Sequence, residues 1–153
     1  MTMDADGHCL YHALLLHMPA SRRQAIPNIF ALRGYIADYI ERNLDHPILL
    51  GEGFDVIDAN GGTNANVRSY LEEAAAAANI TPEEYIHRTR WGQNQGTILE
   101  MHIFSMVFRR RIEVWATRPL LLPELRQVVG HPDWPTMPLL LDWSKHPGGH
   151  YDV

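Results

Sequence analysis

The chain has 153 residues, 46% of them apolar and 20% charged, with a formal net charge of −5. That is the size and balance of a single globular domain, and its acidity argues against nucleic acid or an anionic membrane surface as the main partner. A single cysteine excludes an internal disulfide framework, no apolar run reaches the roughly 18 residues of a membrane span, and "MTMDADGHC" lacks the basic and apolar regions of a signal peptide, so the expected location is the cytoplasm.

The opening stretch "DADGHCLYHALLLH" places a tight Asp-Gly turn ahead of an apolar, helix-like run. Ser21 and Gln24 have the spacing of a capping box ahead of "NIFALRGYIADYIERN". There Ile29, Leu32, Ile36, Tyr39 and Ile40 recur at helical spacing. "DHPILLGEGFDVIDANGGTNANV" is rich in Gly, Asn and Asp and reads as loop, with a turn at Gly61 and Gly62. "RSYLEEAAAAAN" is built of strong helix formers, and Asn79 is suited to end it. In "TPEEYIHR" Thr81 caps, Pro82 fits the first helical position, and Glu83 and Glu84 complement the dipole.

"WGQNQG" interrupts, and Thr97 then caps "ILEMHIFSMVFRR", where Leu99, Ile103, Met106 and Val107 line one side. "IEVWA" (112–116) reads as a strand. From Pro119 to Pro138 the expectation is irregular chain with a brief helix near Glu124 to Val129. "LLLDW" (139–143) reads as a second strand and "GGHYDV" as a third. Helices first and strands last predict an α+β domain, with a small central sheet packed between helices.

Two constellations carry chemistry. Cys9 falls at the start of a helix, where unpaired N–H groups and the dipole favour a thiolate, and the N–H groups of the loop before it would suit an oxyanion. Taken alone, a small buried thiol is the commoner reading of such a residue. His150 and Asp152 are two apart, so on a strand they share a face, and the acid can hold the imidazole tautomer. Gly148 and Gly149 leave room for a close backbone approach. Taken alone, this too reads as an ordinary strand end. Joined, a helix-start Cys and a distant strand His form the pattern of a papain-like thiol hydrolase.

"DGHCLYHAL" resembles the catalytic-cysteine block of the ovarian-tumour (OTU) deubiquitinating cysteine proteases, Asp-Gly-Asn-Cys-Leu-Phe/Tyr-Arg-Ala/Ser-Leu/Val. "LRGYIADYIERN" (32–43) is similar to the family's Leu-Arg-x-x-Ile/Val-x-x-Tyr-Ile-x-x-Asn helix. "WG" (91–92), then an acidic helix and "RRRIEVW", looks like its Trp-Gly…Glu-Leu…Pro-Ile-x-Val segment. "GGHYDV" resembles its closing His-Tyr-Asn/Asp block. The four blocks occur in family order along nearly the whole chain.

The resemblance implies a papain-like OTU fold over residues 1–153, as a single catalytic domain or as the trimmed core of a longer polypeptide. It implies Cys9 as nucleophile, His150 as general base and then acid, and Asp152 as the residue orienting His150. Asp6, Gly7 and His8 would form the oxyanion loop, and Trp91, Gly92, Gly149 and Tyr151 would shape a narrow substrate channel. The implied activity is thiol-dependent deubiquitination by a monomeric domain. It would cleave after the Gly-Gly C-terminus of ubiquitin, polyubiquitin or a ubiquitin-like protein, in the cytoplasm or in a host cell's cytosol, with no cofactor. The alternatives are a catalytically silent ubiquitin-binding module of OTU fold and a viral polyprotein cysteine peptidase with deubiquitinase side activity. Departures from the family pattern are His8 for Asn, His12 for Arg, and a longer stretch between Trp91 and Glu100.

Other clusters are weaker. His8 and His12, His146 and His150, with Cys9, form a poor zinc pattern without a second cysteine or a placed glutamate. Asp55 and Asp58 lack an EF-hand arrangement. Arg109, Arg110 and Arg111 read as a helix C-terminal charge cluster, Ala74 to Ala78 as helix filler, and Met101 and Met106 as core.

Overall fold

A computed structural model describes residues 8–48, 65–117, 122–142 and 151–152. Five α-helices, α1 (Cys9–Leu16), α2 (Ile29–Arg42), α3 (Val67–Ala77), α4 (Pro82–Trp91) and α5 (Ile98–Phe108), precede four strands, β1 (Arg111–Thr117), β2 (Glu124–Val129), β3 (Thr136–Asp142) and β4 (Tyr151–Asp152). The α+β reading therefore holds, helices first and strands last.

The helices begin where local chemistry supplies a cap. Thr81 accepts from Glu84 N–H with Pro82 in the first turn and Thr97 caps α5, both as expected, and Glu100 completes a reciprocal box with Thr97. Ser21 and Gln24 do not start α2. Ala20–Arg22 form a single 3-10 turn, and Asn28 caps α2 by accepting from Ala31 N–H. Asn66 and Ser69 close a capping box on α3. Asn79 takes the left-handed conformation after it, φ 58°, as its small polar side chain allows.

α2 is the hub, touching α1, α3, α4 and α5. Ile29, Leu32, Ile36 and Ile40 are buried as the periodicity predicts, Tyr39 is half-buried, and Arg33 and Ala37 join the buried face. α5 is enclosed on almost every side, with Leu99, Met101, Ile103, Phe104 and Phe108 in the core and Met106 and Val107 only partly buried. That differs from the single apolar side expected, because α5 lies between α2 and α3 on one flank and the sheet on the other.

The sheet runs β2-β1-β3-β4. β1 alternates, burying Ile112, Val114 and Ala116 towards α5. It pairs antiparallel with β2 and parallel with β3, and β4 pairs antiparallel with β3 through Leu140–Asp152 and Leu141–Tyr151. The Glu124–Val129 segment is thus an edge strand and not a helix. Six residues are too few for a stable helical turn pattern of their own, and pairing with β1 satisfies their backbone. Its outer residues are exposed, and a bulge interrupts the β1–β2 register at Val114/Trp115. The expected strand at 139–143 begins earlier, at Thr136, and includes Pro138 ahead of the residues that pair with β4.

The segment read as loop is closed at its base by an isolated antiparallel bridge, Pro47 with Asn66. Asp55, Asp58 and the Gly61–Gly62 turn lie outside the described residues.

Candidate active site

Cys9 is the first residue of α1 and is a free, half-buried thiol. α1 forms because Leu10, Tyr11, Ala13 and Leu14 bury one flank. His8 stands at the N-cap (φ −103°, ψ 2°) and its side chain makes no capping hydrogen bond, so it does not occupy the first N–H groups of the helix, that of Cys9 among them.

His8 is held instead by α2. Arg33 Nε donates to His8 Nδ1 at 3.0 Å. The His8 ring lies edge-on to His12 and Phe30, with centroids 6.3 and 5.7 Å away. Arg33 has no exposed surface. Its guanidinium donates to Thr89 O (3.3 Å), Asn94 Oδ1 (3.0 Å) and Asn94 O (2.7 Å) and stacks over the Tyr11 ring, 3.9 Å from the centroid. A cation out of water is tolerable only when its donors are used this fully.

Beside it lies a second buried polar set. Tyr85 Oη donates to Glu100 Oε1 (2.7 Å), and Glu100 Oε2 accepts from Thr97 N–H (2.7 Å) and from the Thr97 hydroxyl (2.6 Å). Burial first, and then the Glu100 carboxylate, push the Tyr11 and Tyr85 hydroxyls well above their ordinary range. Both stay neutral and protonated at physiological pH.

The loop from Gly92 to Thr97 is pressed against the start of α1. Gly92 ends α4 at φ 75°, and a Cβ there would stand 3.1 Å from His8 Cε1 and 3.4 Å from Phe30 Cε1. Asn94 binds Arg33. Gly96 leaves no room at all, since a Cβ would fall 2.5 Å from Leu10 Cδ2. β4 is also in contact with α1. Residues 151–152 therefore come to the helix that Cys9 begins, across most of the sequence.

The OTU-like cysteine protease family profile matches residues 4–151. The chain belongs to the OTU-like cysteine protease family. A solved structure described as "Structure of OTUD1 OTU domain" superposes with a TM-score of 0.53 at 15% identity, covering 100% of this chain and 82% of that one. At that identity the likeness is one of fold. Against curated protein sequences the chain has no significant match.

Of the residues the OTU resemblance singles out, Cys9, His8 and Gly92 come together. Trp91 sits at the end of α4 and is 63% exposed. Tyr151 and Asp152 stand on β4 next to α1. Asp6, Gly7, Gly149 and His150 lie outside the described residues. No group of three His, Cys, Asp or Glu side chains is placed to hold a metal among the described residues, and His8 Nδ1 is engaged by Arg33. Arg33 and Asn94 were not among the expected site residues. The available signal was a charged residue on the apolar face of α2, one position after Leu32.

Proposed function

We propose that this chain is a thiol isopeptidase that releases ubiquitin, or a ubiquitin-like protein, from a lysine side chain. The observation that carries the reading is the contact of β4 with α1 in a chain of the OTU-like cysteine protease family. It draws the strand that follows His150 to the helix that starts at Cys9.

In this reading His150 takes the Cys9 proton, and the thiolate attacks the C-terminal glycine carbonyl. The S–C bond forms as the negative charge passes to the carbonyl oxygen, which the Cys9 N–H and the loop at Asp6, Gly7 and His8 stabilise. Collapse breaks the C–N bond, and the lysine amine leaves with the proton held by His150. Water, deprotonated by the same imidazole, then hydrolyses the thioester. Asp152 orients His150. The OTU resemblance assigns Gly149, Tyr151, Trp91 and Gly92 to a channel for a tail without side chains, and a channel of that kind would reject most other peptides by shape. A lone thiol suits the reducing cytoplasm.

The test is reaction with ubiquitin carrying a C-terminal electrophile. The wild-type chain should form one covalent adduct, seen by intact mass, and Cys9→Ala should form none. Binding without an adduct would place the chain among silent ubiquitin-binding modules, and an adduct that survives in Cys9→Ala would remove Cys9 as nucleophile. Diubiquitin cleavage then reads the linkage preference.

A further inference from the structure

The residue before Cys9 is gripped from two sides. The His8 carbonyl accepts from His12 N–H at 2.9 Å, and its imidazole Nδ1 accepts from Arg33 Nε at 3.0 Å. Guanidinium can only donate, so Nδ1 is the bare nitrogen and the proton of neutral His8 is on Nε2. Arg33 is itself immobile, being buried, stacked on Tyr11 and bonded to Thr89 and Asn94.

There is no cis peptide among the described residues. Across the trans His8–Cys9 peptide the C=O and N–H point in opposite directions. Whatever fixes the plane of the carbonyl therefore fixes the aim of Cys9 N–H. That N–H belongs to the same residue as the sulfur.

We propose that Arg33 and His8 are positioning residues for acylation: the Arg33–His8 contact anchors the residue 8 side chain while His12 N–H holds its carbonyl, and together they keep Cys9 N–H pointed at the developing oxyanion. The inference rests on the reading of Cys9 as nucleophile. It gives His8, where Asn is the family's habit, a defined task. An asparagine Oδ1 occupies nearly the place of an imidazole Nδ1 and accepts from the same guanidinium. It also ties the loop after α4 to the nucleophile, because Asn94 and His8 share one arginine.

The test uses His8 variants, because replacing Arg33 would disturb α1, α2, α4 and the Asn94 loop together. With a fluorogenic C-terminal amide of ubiquitin, His8→Leu should lower kcat about 10- to 100-fold with KM nearly unchanged, as expected when an oxyanion donor is mis-aimed and not lost. His8→Asn should recover kcat to within about three-fold of wild type, since an acceptor is restored. Nitrogen-15 spectra of the wild-type imidazole should show Nε2 protonated and Nδ1 bare.

An adduct-forming wild type whose His8→Leu variant keeps its kcat overturns the positioning role alone. So does a His8→Asn variant that falls as far as His8→Leu, or a protonated Nδ1. A wild type inert to the ubiquitin electrophile overturns the thiol isopeptidase reading, and the positioning role with it.

Discussion

His102 is an imidazole in the middle of α5 with 2% of its surface exposed, its edge towards the Tyr70 ring 5.2 Å away. Burial holds its pKa down, to about 4 from an ordinary 6.5. Above pH 6.5 both the folded and the unfolded chain carry it neutral, and its full stabilising balance is present. Between pH 6.5 and 4 the unfolded chain binds a proton that the folded one refuses, so stability falls. The loss approaches about 3 kcal/mol at the acid end. His17, lowered by burial and then by Arg110, acts in the same direction. Urea unfolding at a series of pH values should show this acid slope, and His102→Leu should flatten it; an unchanged slope would show that His102 is not its source. Nothing in the sequence marks His102 out from the chain's other histidines, because burial is set by what packs on α5. Arg33 was partly legible for the opposite reason. Its neighbours Ile29, Leu32, Ile36 and Ile40 define an apolar face that a charge should avoid, and only the folded positions of His8, Thr89 and Asn94 explain its presence there.

Among the elements, helix starts were read well where one residue decides them. Thr81 and Thr97 cap whatever the rest of the chain does. Asn28 was missed because the Ser21–Gln24 pair had the stronger local pattern, and α2 starts only after Pro27. β2 was misread because Glu124, Leu125, Arg126 and Gln127 are good helix formers, and their partner, β1, is a tertiary fact. The stretch between Trp91 and Glu100, longer than in the family pattern, includes the loop from Gly92 to Thr97. Its packing against α1 gives it a structural duty. Gly96→Ala should cost about 1–3 kcal/mol, since the added methyl overlaps the buried Leu10 side chain. It should also slow adduct formation more than an equally destabilising change in α3, because Leu10 follows Cys9 directly. Thermal unfolding paired with adduct rates tests both, and equal slowing by the two changes would confine Gly96 to stability.

For the molecule as a whole, the site joins unequal parts. α2 and α5 are anchored on many sides, whereas β4 stands last in the strand order and pairs, among the described residues, with β3 alone. Hydrogen exchange should therefore find β4 amides opening at lower free energy than those of α5, with a ubiquitin C-terminal electrophile bound at Cys9 slowing them. Protection of β4 equal to that of α5 in the free chain would contradict this. At the far side of the sheet, β2 turns a row of main-chain donors and acceptors outward, with no further strand beside it among the described residues. A bare edge of that kind templates aggregation. Here Glu124 and Arg126 lie on it, and the bulge at Val114/Trp115 adds local twist. Crowding, more than heat, is the stress those two charges answer: a chain stripped of them would keep its chemistry in dilute solution and precipitate as it is concentrated.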